Sequence, residues 1–157
     1  MYNQNMNVNQ YDLDSMVCFA VYSASNAVAK AHRVLLEPWE LTYTQYIVLL
    51  ETSTTDDGLT VSELGARMGL NSGTLSPLLR RLEQRNLVSR QRTSSDERIV
   101  TITLTHVGSE TLAEVLRALQ VLRPAYGFES AAEAQNLVAT LHRITQGMQQ
   151  LSSPNNS

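Results

Sequence analysis

Cysteine is almost missing from this sequence: Cys18 is the only one in 157 residues. That excludes an internal disulfide framework and a cysteine-clustered zinc site, and it suits a reducing compartment. Whatever Cys18 does, it does without a second thiol from its own chain. Long apolar runs are missing too, since none approaches the roughly 18 residues that a membrane span needs. The polar, Asn-rich stretch from Met1 to Gln10 lacks the basic-then-apolar order of a signal peptide, so the expected location is the cytoplasm, with no membrane partner. A positive net charge is also lacking: 12 Lys and Arg stand against 15 Asp and Glu, for −3. The average conceals a segregation. Between Arg67 and Arg98, seven arginines face only Glu83, Asp96 and Glu97, a local +4 that leaves −7 on the remainder. A basic face on an acidic body is the electrostatic footprint of a nucleic-acid binder, although scattered solvated arginines give the same count.

What is present is apolar residue enough, at 43%, for one core and an interface besides. From Tyr11 to about Leu36 apolar residues recur at helical spacing, and Pro38 ends the pattern. Thr42 to Leu50 reads as a second helix capped by Thr42 or Thr44. Asp56, Asp57 and Gly58 mark a turn. Thr60 and Glu63 have the spacing of a capping box, so a short helix runs from there to Met68 and stops at Gly69. Another helix follows with caps among Ser72 to Thr74, an apolar stripe of Leu75, Leu78, Leu79 and Leu82, Pro77 within about the first turn, and an end near Asn86. The period then switches from helical to alternating. Residues 87–92 and 99–104 read as two strands of a hairpin around a polar turn at residues 93–97. Thr105 caps a helix to about Leu122, residues 124–127 break it, and Ser130 opens a last helix through Met148. The polar ends, 1–10 and 152–157, are expected to be disordered.

Two short helices joined by a tight turn, the second bearing arginines and followed by a hairpin, are the order of a winged helix-turn-helix. The fold class is therefore mainly α with a small β-hairpin wing. The second helix of such a pair is narrow enough for the major groove, where early polar residues meet base edges and basic residues meet phosphates. Asn71, Ser72, Thr74 and Ser76 are the candidates for the first role, with capping alone as the plainer account, and Arg80, Arg81 and Arg92 for the second. At the hairpin tip, Arg98 can enter the negative minor groove while Asp96 holds its guanidinium; a solvated ion pair is the simpler alternative.

Residues 96–108 read D-x-R-x-x-x-x-x-L-T-x-x-G, which resembles the signature of the MarR family of regulators. The resemblance extends over nearly the whole chain in helix order. It implies a homodimer held by helices at about 11–36 and 105–151, a winged helix-turn-helix at about 42–104, and a palindromic operator in double-stranded DNA. Three stretches, residues 18–25, 41–46 and 72–81, further resemble the branch of that family that answers organic hydroperoxides. By that resemblance Cys18 is the peroxide-reactive thiol and Tyr22 and Tyr43 are its hydrogen-bonding tyrosines. His32 stands where the branch usually carries another tyrosine, and a surface histidine is the blander account of it. The implied chemistry is oxidation of a thiolate to a sulfenic acid, which then condenses with a low-molecular-weight thiol, survives as such or over-oxidises.

Two other readings stay open. A repressor of the same family released by a small apolar or phenolic ligand would leave Cys18 as an inert, buried small hydrophobe. An enzyme is not expected, because nothing beyond the lone cysteine resembles a peroxidase motif. No cofactor or metal is called for.

Overall fold

The first long helix starts later than its apolar spacing predicts. In the computed structural model, which describes residues 12–93 and 96–152, the Asp12 side chain accepts the N–H of Asp14 and caps a single 3-10 turn, Leu13–Ser15. Met16 is then extended (φ −86°, ψ 114°), so α1 runs Val17–Leu36. Tyr11 and the polar stretch before it lie outside the described residues. A 3-10 turn with Pro38, Glu37–Trp39, separates α1 from α2 (Tyr43–Thr52). Of the two threonines offered as caps, Thr42 does the work: its hydroxyl accepts the Gln45 N–H at 3.2 Å and Gln45 returns a bond to the Thr42 N–H at 2.9 Å.

The expected capping box at Thr60 and Glu63 is formed, opening α3 (Val61–Met68), and Gly69 closes that helix at φ 64°. Helix α4 spans Ser72–Gln84. Its cap is Asn71, one residue ahead of those offered by the sequence. Pro77 consequently falls in the second turn rather than the first, and the carbonyl of Gly73 has no N–H four residues on to receive.

The wing is a three-stranded sheet and not a bare hairpin. Strands β2 (Val88–Thr93) and β3 (Asp96–Leu104) pair antiparallel, and a two-residue strand β1 (Leu59–Thr60) adds on the other side of β3, Leu59 opposite Ile102. Two residues show no alternation, so the sequence pattern could not reveal β1. Gly58 makes it possible: it sits at φ 76°, and a Cβ there would overlap the Ile102 carbonyl.

Helix α5, capped by Thr105, covers His106–Ala118 and then tightens into a 3-10 turn, Leu119–Val121, and a short α6, Leu122–Ala125. The helix thus ends at Ala118, short of the expected Leu122, and further on Pro124 cannot donate to the Gln120 carbonyl. Ser130 accepts the Glu133 N–H at 3.2 Å ahead of α7 (Ala131–Ser152), which takes in Ser152; residues 153–157 lie outside the described residues.

The described residues fall into two compact units divided between Leu119 and Gln120. In the first unit, Leu75, Leu79 and Leu82 lie on one face of α4, fully buried with Leu36, Val48, Leu49, Leu64, Ile102 and Val115. Each such side chain contributes about 1.5–3 kcal/mol by leaving water. Among the described residues no helix is long and apolar enough to cross a membrane.

Candidate functional site

Once its leucines are buried, α4 has one face left. At 100° per residue, Gly73, Thr74, Pro77, Arg80, Arg81 and Gln84 lie opposite the leucine stripe, and all six are exposed. Ser72 is exposed beside them and Ser76 is half-buried. Asn71 is committed to capping, since its Oδ1 accepts the Thr74 N–H at 3.0 Å and the Thr74 hydroxyl at 3.2 Å. The capping account thus holds for Asn71 and engages Thr74, while the leading N–H groups of Ser72 and Gly73 stay available to an anion at the helix N-terminus. The N-terminus of α3 is closed by contrast. Its Glu63 carboxylate accepts from the Thr60 N–H and hydroxyl, both at 2.8 Å, and these bonds, the backbone one foremost, hold its pKa below the ordinary value of 4.5.

Seven arginines gave the middle of the sequence its positive charge, and the fold divides them. Arg67 pairs with Glu51 at 3.2 Å and Arg90 with Glu83 at 3.7 Å. Arg85 donates to the carbonyls of Trp39 and Glu40 at 2.6 and 3.0 Å. Arg80, Arg81 and Arg92 are exposed and make no ion pair with another described side chain. The side chains of Asp96 and Arg98 lie outside the described residues; their backbone is in β3. Gly73, Pro77 and Gln84, not singled out in the sequence, share the outward face, and the leucine stripe supplies the helical angle that finds them.

The signature read at residues 96–108 has a structural cause at its second half. The Thr105 hydroxyl accepts the Gly108 N–H at 2.9 Å and donates to the Asn86 carbonyl at 2.6 Å. Gly108 is held to glycine because a Cβ would overlap the Leu87 carbonyl oxygen.

The four residues named as sensing candidates fall into two separate pairs. Cys18 is exposed in the first turn of α1, with Tyr22 one turn further on and 64% exposed. His32 is buried rather than on the surface, at 7% exposure. Its Nδ1 lies 2.9 Å from the Val28 carbonyl, which only accepts, so Nδ1 carries the donated proton. The imidazole meets Tyr43 edge-on at 4.8 Å between ring centres and stacks on Tyr46 at 6.4 Å. Fourteen residues of helix separate Cys18 from His32, about 21 Å at 1.5 Å each. One chain therefore does not assemble all four. Among the described residues, no group of three or more His, Cys, Asp and Glu could hold a metal ion.

Comparison with known proteins agrees with this fold. Residues 30–115 match the family model of the transcriptional regulators SarA/Rot. The organic hydroperoxide resistance transcriptional regulator of Bacillus subtilis is 39% identical over 64% of this chain and 70% of its own. The HTH-type regulator SarZ of Staphylococcus epidermidis is 37% identical over 87% and 90%. A further relative, the HTH-type regulator TtmR of Methylorubrum extorquens, is 53% identical over 61% of this chain, which spans about half (49%) of that protein's length. Among solved structures, reduced AbfR bound to DNA superposes with a TM-score of 0.77 at 30% identity, covering 94% of this chain and 100% of that one. AbfR, a Staphylococcus epidermidis protein, is also solved overoxidised on DNA and in a disulfide-formed state. A MarR-family regulator of Rhodococcus shares the fold (TM-score 0.75, 23% identity, 86% and 95% covered). On its helix order, its wing and these matches, the chain belongs to the SarA/Rot transcriptional regulators, winged-helix proteins of the MarR family.

Proposed function

We propose that this regulator binds a palindromic operator in duplex DNA as a homodimer and releases it when an organic hydroperoxide oxidises Cys18. It acts in the cytoplasm as a repressor, with no enzymatic turnover. In this reading α4 enters the major groove, with Ser72, Thr74 and Ser76 toward base edges and Arg80, Arg81 and Arg92 toward phosphates. Asn71 sets the helix start, and Arg98, steadied by Asp96, reaches the minor groove. The helices at about 11–36 and 105–151 form the dimer.

The observation that carries the sensing reading is the split of the sulfur site. Cys18 and Tyr22 are exposed at one end of α1, and the half-exposed Tyr43 with its buried neighbour His32 lies at the other. A second copy with α1 running the opposite way would bring each exposed Cys18 to the other chain's Tyr43 and His32. The site is completed only by dimerisation, which ties sensing to the assembly that spaces the reading helices.

The thiolate of Cys18 attacks one peroxide oxygen, the O–O bond breaks, and the alcohol leaves with a proton; sulfur is oxidised by two electrons and the peroxide is reduced to alcohol. A small cellular thiol then displaces water from the sulfenic acid to give a mixed disulfide. The chain has no other cysteine to play that part. AbfR is found on DNA when overoxidised, which weighs for the mixed disulfide rather than the higher oxide as the releasing product. The bulky adduct wedges a packed helix interface and shifts the dimer away from the spacing that fits DNA.

A gel-shift titration with cumene hydroperoxide, with and without small thiol, tests this. Wild-type protein is expected to release DNA and to gain the mass of the thiol, reversibly with reductant. Cys18→Ser is expected to bind DNA as well as wild type and to ignore the peroxide, because a hydroxyl is too weakly ionised to attack the O–O bond. Release by the serine variant would move the reading to a regulator relieved by an apolar ligand.

A further inference from the structure

We infer that Arg85 is a positioning residue for DNA binding: it fixes the angle of α4 by clamping the α1–α2 corner, without touching DNA itself. The inference rests on α4 being the DNA-reading helix.

Arg85 is the C-cap of α4, and its guanidinium forks onto two successive carbonyls, Trp39 at 2.6 Å and Glu40 at 3.0 Å. These are the last carbonyls of the 3-10 turn after α1, left without helical donors, and a cation at such an end satisfies both the bonds and the local dipole. Charge-assisted bonds of this kind are about twice as strong as neutral ones, and the fork adds direction.

The contact is one side of a closed ring. The Trp39 indole N–H donates to the Glu114 carboxylate on α5 at 2.9 Å. At the head of α5, Thr105 donates to the Asn86 carbonyl, one residue past Arg85, at 2.6 Å. The C-terminus of α4, the α1–α2 corner and α5 are thus tied pairwise. Both described non-glycine residues with positive φ, Glu40 at 49° and Asn86 at 55°, belong to this ring and offer their carbonyls to it. Left-handed backbone is unfavourable for most side chains, so the corner keeps its shape at Glu40 while its carbonyl is held. His32 on α1 and Tyr43 on α2, whose rings meet at 4.8 Å, flank the same corner.

The test measures affinity and its salt dependence together, on a fluorescent duplex selected from a random pool by the wild-type protein. Loss of a phosphate ligand lowers the slope of log K against log[salt] by about one, whereas loss of a positioning contact lowers affinity at unchanged slope. Arg85→Ala is expected to bind about tenfold more weakly with the wild-type slope, and Arg85→Lys to fall between. Trp39→Phe, which removes only the indole donor, is expected to weaken binding a few-fold, and the double variant to bind within about twofold of Arg85→Ala, because both act through one ring. Should Arg85→Ala fail to fold, the lysine and phenylalanine variants carry the same comparison. A slope lowered by about one, strictly additive losses, or unchanged affinity would each overturn the inference. An Arg80→Ala, Arg81→Ala double variant is the check on α4: if its slope does not fall, the docking helix has been misassigned, whatever Arg85 does.

Discussion

The lobe that carries α2 to α4 and the sheet differs from the two longest helices in what it leaves uncovered. Within the lobe, α4 buries Leu75, Leu79 and Leu82 completely and keeps only polar, glycine, proline and arginine positions outside. Helix α1 buries only His32 and Leu36 of its 20 residues, and leaves Val17, Phe19, Tyr22 and Val34 exposed. No described residue of α7 is buried, and Leu137, Val138 and Leu141 are 44%, 52% and 37% exposed. Single exposed apolar residues are ordinary, but Leu137, Val138 and Leu141 share one face of α7, which suits a surface that another chain covers. The lobe is thus stabilised by its own packing, whereas the long helices depend on a second copy under the proposed homodimer. Under the proposed function, the residues assigned to sensing also lie on the uncovered helix and its neighbour.

The contrast can be broken most forcefully in the lobe. Leu79→Ala, at a fully buried position, is expected to cost about 2–5 kcal/mol of unfolding free energy through lost transfer and a residual cavity. Urea unfolding at fixed protein concentration checks it; a loss near zero would mean the α4 core is not closely packed. The long helices predict a different signature. Leu137→Glu is expected to raise the dissociation constant of the dimer by at least about tenfold, by placing a charge in an apolar contact, with the wing and α4 still folded. Sedimentation of a dilution series together with the amide spectrum of the lobe distinguishes this from general unfolding, and an unchanged oligomeric state would remove α7 from the interface.

The smallest effect concerns the lobe's edge. Glu63 has its pKa depressed by the Thr60 N–H and hydroxyl, so the stability it lends α3 is fully present above the ordinary value of 4.5 and is lost as pH falls through the lower, folded value. The protection of the Thr60 amide and of the first turn of α3, taken relative to the intrinsic exchange rate at each pH, is expected to fall over that acid range in the wild type. Glu63→Ala should abolish the pH dependence of that protection; a dependence that persists would assign the transition to another group.

Local chemistry wrote most of this molecule plainly. The T-x-x-E box, the left-handed Gly69, the leucine stripe of α4 and the alternation of the two long strands each act within a few residues, so their elements could be read in the sequence, as could the family signature. What needed tertiary structure involved partners distant in the chain. Strand β1 exists because Gly58 lets residues 59–60 reach β3, some 40 residues away. Seven arginines look alike in sequence, and only packing could commit Arg67, Arg85 and Arg90 to the protein while leaving Arg80, Arg81 and Arg92 exposed. In the sequence His32 is open between a place in the sensing set and the surface; it is buried because α2 brings Tyr43 and Tyr46 against it. Periodicity and caps report which face a residue occupies on its own element, because those forces are local; which other element covers that face is decided by contacts between segments far apart in the chain.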